Sequence, residues 1–129
     1  MKFLEKFTEP AYALMRIVTG FMFGFHGVQI LFGVLLPMPK PPVGSQAWIG
    51  GIIELICGLA VMLGLQTRLA AFLASGTMAV AYFQFHWKFQ LGSQIFPAVN
   101  NGELSALYSF LFLFIACRGA GKWGLDKQK

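Results

Sequence analysis

The sequence carries very little charge for its size, and this shortage excludes an ordinary soluble domain. Only 12% of its 129 residues are Asp, Glu, Lys or Arg, whereas 57% are hydrophobic. A soluble domain of this length needs far more charged side chains to cover its surface. A mean hydropathy of +0.65 agrees with this view. The composition therefore predicts a protein whose surface faces lipid.

Cysteine is also scarce, which argues against disulfide or thiol chemistry. The two cysteines, Cys57 and Cys117, do not form a CxxC pair. Helical rise puts their depths in the membrane roughly 15 Å apart, too far for a disulfide. The sequence also lacks a nucleotide-binding loop, a serine nucleophile elbow and a zinc motif. These absences remove the common enzyme classes that such motifs mark.

Long apolar runs are what the sequence has instead. They predict four helices at about 11–36, 47–65, 69–86 and 103–118. A helix needs about 20 residues to cross a hydrocarbon core, and somewhat shorter spans are tolerated. Lipid offers backbone amides no partner outside the helix. We therefore predict an all-α integral membrane four-helix bundle that forms a single domain over residues 1–129.

The net charge of +5 is distributed unevenly between the two predicted membrane faces. Four spans place both termini and the turn between helices 2 and 3 on one side. That side holds Lys2, Lys6, Arg68, Arg118, Lys122, Lys127 and Lys129, and the other holds Lys40 and Lys88. The positive-inside rule then puts both termini in the cytoplasm. This pattern predicts a multi-pass protein of the bacterial inner membrane, with the lipid bilayer and not nucleic acid as its partner.

Polar side chains from all four predicted helices fall at similar depths in the outer half of the bundle. Helical rise puts His26 roughly 22 Å and Glu54 about 20 Å above the inner face of a ~30 Å core. The same layer contains Gln29, Tyr82, Gln84, His86 and Tyr108. An ionisable group at this depth is costly unless it faces the interior and is paired or hydrated. We predict a polar pocket with these ligand-binding residues: His26, Gln29, Glu54, Tyr82 and His86.

Each of these residues also has a structural interpretation. His26 and Glu54 form a hydrogen-bonded pair that fixes the helix register, if they bind no ligand. His86 is adjacent to Trp87, and this neighbour favours a position at the membrane interface. A haem held by both histidines is disfavoured, because their predicted depths differ by a few ångströms. No metal site is predicted.

Arg16 and Glu103 lie nearer the membrane faces. Arg16 is roughly 7 Å above the predicted inner face, where it either snorkels towards lipid headgroups or has a structural role. Glu103 lies three residues after Asn100, the spacing of a capping box, and this favours a helix cap over a ligand.

Several segments together resemble the DoxX family of small four-helix bacterial membrane proteins. They are Arg16 followed by Gly20, then "FHGVQILFG", "GGIIELICGLAVMLGLQTRLAA" and "NNGELSALYSFLFLFIACRGAGKWGLD". The resemblance covers essentially the full chain. Two positions depart from the family pattern: Ile30 replaces a frequent lysine, and Ala120 replaces a proline.

The resemblance implies a membrane component with a redox connection. Relatives are associated with quinone-linked sulfur oxidation and with membrane oxidoreductase complexes that respond to oxidative stress. The positions that match the family pattern are Arg16, His26, Gln29, Glu54 and Glu103. Because Ile30 occupies the position where relatives often have lysine, any role of that lysine's charge cannot be transferred to this chain.

The pocket and the resemblance together favour a quinone- or small-molecule-binding subunit of a membrane redox system. In this hypothesis His26 donates a hydrogen bond to a quinone carbonyl and Glu54 orients the ring or accepts the proton, since imidazole titrates near neutral pH. Two alternatives stay open. One is a protein that binds or transports a small solute or lipid without chemistry, and the other is a structural scaffold for a partner. A redox or other membrane protein is the expected partner, and the glycine-rich faces leave room for a homo-oligomer.

Overall fold

The computed structural model describes residues 1–35 and 39–127. All regular structure in these ranges is helical, so the predicted all-α class is confirmed. The helices are α1 Lys2–Glu5, α2 Thr8–Phe32, α3 Gln46–Leu63, α4 Thr67–Ala81, α5 Pro97–Asn100 and α6 Glu103–Arg118. A π-helical turn, Tyr82–Trp87, continues α4 directly, and a 3-10 turn, Gly92–Ile95, precedes α5.

Glycines in the left-handed conformation end the two longest helices. Gly33 closes α2 with a φ of 69°, and Gly64 closes α3 with a φ of 68°. Glycine adopts this conformation without the steric penalty of a Cβ atom. The predicted end of the second helix at 65 is therefore two residues too long. The predicted end of the first helix, Leu36, lies outside the described residues.

Among the described residues, two helices are long and apolar enough to cross a membrane, namely α2 and α3. The other long helices are shorter, with 15 residues in α4 and 16 in α6. The π-helical turn lengthens α4 at its far end. Helices α2 and α3 therefore meet the length and composition of a membrane span. That α4 and α6 also span the membrane, which would make four spans, remains a prediction.

Helices α2 and α3 form a close antiparallel pair in which the two backbones touch. A Cβ atom on Gly27 would lie 2.5 Å from the backbone nitrogen of Leu55. A Cβ atom on Gly58 would overlap the backbone of Gly24. Small residues are favoured at such contacts because close backbone approach supplies the van der Waals attraction that holds helices together in lipid.

Helices α4 and α6 form a second pair, joined to the first by aromatic packing. The Ser75 hydroxyl of α4 donates a hydrogen bond to the Ser109 carbonyl of α6 at 2.7 Å. Phe23 of α2 packs on Phe112 of α6 with ring centroids 4.7 Å apart. Both rings are almost completely buried. The core of the protein thus lies where the two helix pairs meet.

Candidate functional site

A large cleft of about 920 Å³ lies between the two helix pairs. Its walls are mainly apolar and come from α2, α3, α4, the π-helical turn and α6. Nine polar or ionisable side chains line it, namely His26, Gln29, Gln46, Glu54, Thr77, His86, Asn101, Ser105 and Tyr108. An apolar cleft with a few polar groups is the usual form of a small-molecule site.

His26 and Glu54 meet in this cleft. His26 Nδ1 lies 2.6 Å from Glu54 Oε2, a hydrogen bond between α2 and α3. Glu54 is only 5% exposed, whereas 56% of the His26 side chain is exposed. The pair therefore consists of a buried acid and an accessible imidazole.

The glycines beside these two residues explain the contact. His26 lies between Gly24 and Gly27, and Glu54 lies three residues after Gly51. A Cβ atom on Gly51 would lie 2.8 Å from a methyl carbon of Ile30, so larger residues would push the helices apart. The close backbone approach lets a histidine reach a buried glutamate.

Gln29 and His86, both predicted as ligand-binding residues, line the same cleft. Gln29 lies nearly one turn after His26 on α2. His86 belongs to the π-helical turn that continues α4. Such turns are rare and frequently occur at functional sites, because the wider winding changes where side chains point. The structure thus brings four of the five predicted residues to one cleft.

Tyr82, the fifth predicted residue, is not among the residues that line the cleft. Its hydroxyl accepts a hydrogen bond from Asn100 Nδ2 at 3.3 Å. Asn100 in turn accepts a hydrogen bond from the Gly102 amide at 2.8 Å. Tyr82 therefore connects the π-helical turn to the segment that precedes α6.

Glu103 is the first residue of α6 and is exposed. The predicted capping box is wrong, because Gly102 is the N-cap residue of α6 and no side chain caps this end. Asn100 instead bonds to the Gly102 amide and stabilises the turn before the helix. The acid still lies in the first turn, where the helix dipole favours negative charge.

Five polar side chains that line the cleft were not predicted as site residues, namely Gln46, Thr77, Asn101, Ser105 and Tyr108. Tyr108 lines the cleft from α6, and its ring packs on Phe23 with centroids 5.9 Å apart. Gln46, at the start of α3, donates a hydrogen bond to Gln84 in the π-helical turn. The depth of Tyr108 was visible in the sequence, but the contact of Gln46 depends on how two distant helix ends meet.

Arg16 lies in the half of the helices away from the cleft and is completely buried. Its Nη1 donates to the carbonyls of Val61 and Met62 at 2.6 and 2.7 Å. Its Nη2 donates to the carbonyls of Lys122 and Trp123 at 3.3 and 3.1 Å. Of the two predicted roles, the structural one is observed and the lipid-facing one is wrong. A guanidinium suits this task because its donors point in several fixed directions.

The segment after α6 folds back onto the turn between α3 and α4. The Leu125 amide donates to the Leu63 carbonyl at 3.2 Å, and the Asp126 amide donates to the Gly64 carbonyl at 2.7 Å. These bonds satisfy carbonyls at the end of α3 that have no partner within the helix. The C-terminal segment is therefore part of the fold.

Asp126 caps α4 from this segment. Its carboxylate accepts hydrogen bonds from the amides of Gln66 at 2.7 Å and Thr67 at 2.8 Å. Partial burial opposes ionisation, but the bonds from Thr67 and Gln66 and the nearby Arg16 guanidinium outweigh it. Together they hold the pKa of Asp126 below its usual value. The acid has the role that a local Ser or Asp usually has at an N-cap.

Within residues 1–35 and 39–127, no group of three or more His, Cys, Asp or Glu side chains is arranged to hold a metal ion. His26 and Glu54 supply two such side chains. These two side chains form a hydrogen-bonded pair.

Comparison with known proteins identifies the family. A family model described as DoxX matches residues 11–87, more than half of the chain. The chain belongs to the DoxX family. The matched region contains Arg16 and all five residues predicted to bind a ligand, and it ends before Glu103. The DoxX family is membrane-associated, in agreement with the two apolar helices.

A curated relative extends the similarity to nearly the whole chain. A curated protein of Haemophilus influenzae, described as "Uncharacterized protein", is 39% identical over 131 residues. The alignment covers 99% of this chain and 97% of that protein. No solved structure matches the chain. The resemblance seen in the sequence is therefore confirmed at the level of the DoxX family.

Proposed function

We propose that this DoxX-family protein crosses the bacterial inner membrane several times and binds a quinone or a similar small molecule in its cleft. In this proposal it acts as a subunit of a membrane redox system with another membrane protein. The observation that carries the proposal is the hydrogen-bonded pair of His26 and Glu54 in an apolar cleft of about 920 Å³.

The chemistry of the cleft suits a ring with polar substituents and an apolar tail. The apolar walls would contact the ring and tail, and the polar side chains would bind the oxygen atoms. A buried ionisable residue in a membrane protein is a functional candidate, because burial without a role is costly. His26 is the natural contact for the ligand, since it is the exposed member of the pair.

A binding titration of the purified protein in detergent tests this proposal. An alkyl-substituted hydroquinone is added under anaerobic conditions, and quenching of the tryptophan fluorescence gives the affinity. We expect Glu54→Gln and His26→Ala to weaken binding at least about tenfold, the effect of losing about 1.4 kcal/mol of interaction. Helix content, measured by circular dichroism, should stay unchanged.

Glu103→Gln is the matched control, because it removes an acid that does not line the cleft. It should bind the hydroquinone as the wild type does. Equal affinity in the wild type, His26→Ala and Glu54→Gln would contradict the proposal and favour a purely structural pair.

Charge supports the proposed orientation, with both termini in the cytoplasm. Arg68 contacts the carbonyl groups at the end of α6, and Arg16 contacts the Lys122 carbonyl, so the basic residues gather at one end. Single cysteines introduced as Lys88→Cys and Lys127→Cys, in a background without native cysteines, test this orientation. A membrane-impermeant maleimide added to intact spheroplasts should label only the cysteine at position 88. Labelling at position 127 instead would reverse the proposed topology.

A further inference from the structure

The hydrogen bond between His26 and Glu54 determines which nitrogen of the imidazole is left for a ligand. Nδ1 is the atom that contacts the carboxyl oxygen. An ionised carboxylate carries no hydrogen and can only accept a hydrogen bond. With Glu54 as a carboxylate, Nδ1 is therefore the donor of this bond.

The other nitrogen, Nε2, has no hydrogen bond from any residue within the described ranges. In a neutral imidazole with its proton on Nδ1, Nε2 carries a lone pair and is only an acceptor. A carbonyl oxygen is also only an acceptor, so the two would repel each other. A hydroxyl group would donate to Nε2.

We propose that His26 Nε2 makes the cleft selective for a ring hydroxyl over a ring carbonyl while the imidazole is neutral. A second proton turns Nε2 into a donor, and the selectivity then shifts towards the carbonyl. The ligand class is accordingly a hydroquinone or phenol with an apolar tail, and its quinone is favoured only at low pH. This inference rests on the proposed function, because it concerns the same cleft, and it refines the expectation that His26 donates to a carbonyl.

Three other titratable groups face the cleft from the elements packed around His26. They are Glu54 of α3, His86 of the π-helical turn and Tyr108 of α6. The described residues of α4 that line the cleft carry no titratable side chain. A phenol titrates near pH 10, far above the relevant range. His86 is the group whose protonation must be separated from that of His26.

Equilibrium binding of a matched pair of probes tests the inference. The probes are an n-decyl benzoquinone and the corresponding hydroquinone, each titrated anaerobically against the purified protein between about pH 5.5 and 8.5. We expect the ratio of the quinone Kd to the hydroquinone Kd to rise about tenfold or more as the pH increases, the effect of one hydrogen bond gained or lost.

Two variants assign the effect to its residue. His26→Phe should make the ratio of the quinone Kd to the hydroquinone Kd independent of pH. His86→Gln should keep the pH dependence of this ratio seen in the wild type. A flat ratio in the wild type, or one that falls as pH rises, would overturn the inference even if binding still depends on His26. A slope removed by His86→Gln but not by His26→Phe would also overturn it. Failure of both probes to bind would instead reject the proposed function itself.

Discussion

The two ends of this protein use buried charge in different ways. Arg16 is completely buried and donates four hydrogen bonds to backbone carbonyls of α3 and the C-terminal segment. Glu54 is nearly as buried, but the one hydrogen bond that its carboxylate makes within the described residues joins it to an exposed histidine. The first charge bonds to the backbone through both of its terminal nitrogens, and the second keeps a partner that a ligand can reach.

This difference separates a structural charge from a candidate functional one. A buried charge with several fixed backbone partners stabilises the helix ends that it joins, because those carbonyls would otherwise lack donors. A buried carboxylate with one accessible partner does little for the backbone. Burial alone therefore does not mark a site, whereas burial beside an open cleft does.

The largest expected effect is at Arg16. Arg16→Ala leaves the carbonyls of Met62, Lys122 and Trp123 without the Arg16 donor, whereas the Val61 carbonyl keeps its bond from the Gly64 amide. Each buried unsatisfied group costs about 1–3 kcal/mol. We expect the free energy of unfolding to fall by about 3 kcal/mol or more, measured by thermal unfolding in detergent. Arg16→Lys keeps the charge but lacks the planar guanidinium, so its free energy of unfolding should lie between those of the wild type and Arg16→Ala. A fully stable Arg16→Ala would remove the contrast between the two ends.

The next effect concerns the backbone contact that brings His26 to Glu54. Gly58→Ala places a Cβ atom against the Gly24 backbone, so we expect a loss of about 1–3 kcal/mol by overpacking. Gly50→Ala is the matched control, since its Cβ atom would have no neighbour within 4 Å. It should be neutral or slightly stabilising, because alanine favours a helix. Equal stability of both variants would argue against close backbone packing of α2 and α3.

A smaller effect is expected at Asp126, and it depends on pH. Asp126→Ala removes the cap of α4 and should cost about 1 kcal/mol at neutral pH. The pKa of Asp126 is lower in the folded protein than in the unfolded chain. Its contribution is therefore complete above the unfolded pKa of about 3.9 and is lost as pH falls through the folded value. Unfolding curves of the two proteins should thus converge below about pH 4. A difference that persists in acid would contradict this role.

The smallest effect on stability is expected at Glu54. Glu54→Gln removes a buried charge while its amide oxygen can still accept the hydrogen bond from His26 Nδ1. The exposed imidazole can stay neutral, so no unpaired buried charge remains. We expect a change within about 0.5 kcal/mol in thermal unfolding, although ligand binding is weakened. A loss as large as that of Arg16→Ala would assign the pair to the fold.

Much of the fold and part of the cleft could be predicted from the sequence. Apolar runs gave the long helices, because lipid and helical hydrogen bonding leave few alternatives. Depth along each helix predicted that His26 and Glu54 would meet, since the rise per residue is constant. The predicted range 103–118 matches α6 as observed.

Other features depend on contacts that a linear pattern does not contain. The π-helical turn at Tyr82–Trp87 changes the direction of side chains that regular helical spacing would assign, and Tyr82 points to Asn100. The capping of α4 by Asp126 joins residues about 60 positions apart in the chain. Arg16 could not be assigned to the fold without knowing that the C-terminal segment returns to it.

The pairing of the helices has a consequence for how the cleft can change its width. Backbone touches backbone within α2 and α3, so these helices cannot separate slightly without losing many contacts at once. The boundary with α4 and α6 is formed by side chains such as Phe23 and Phe112, which can change rotamer. A bulky ligand would therefore be accommodated by side-chain adjustment between the α2–α3 pair and the α4–α6 pair. The distance from His26 to Glu54 would stay fixed, because both residues belong to the α2–α3 pair.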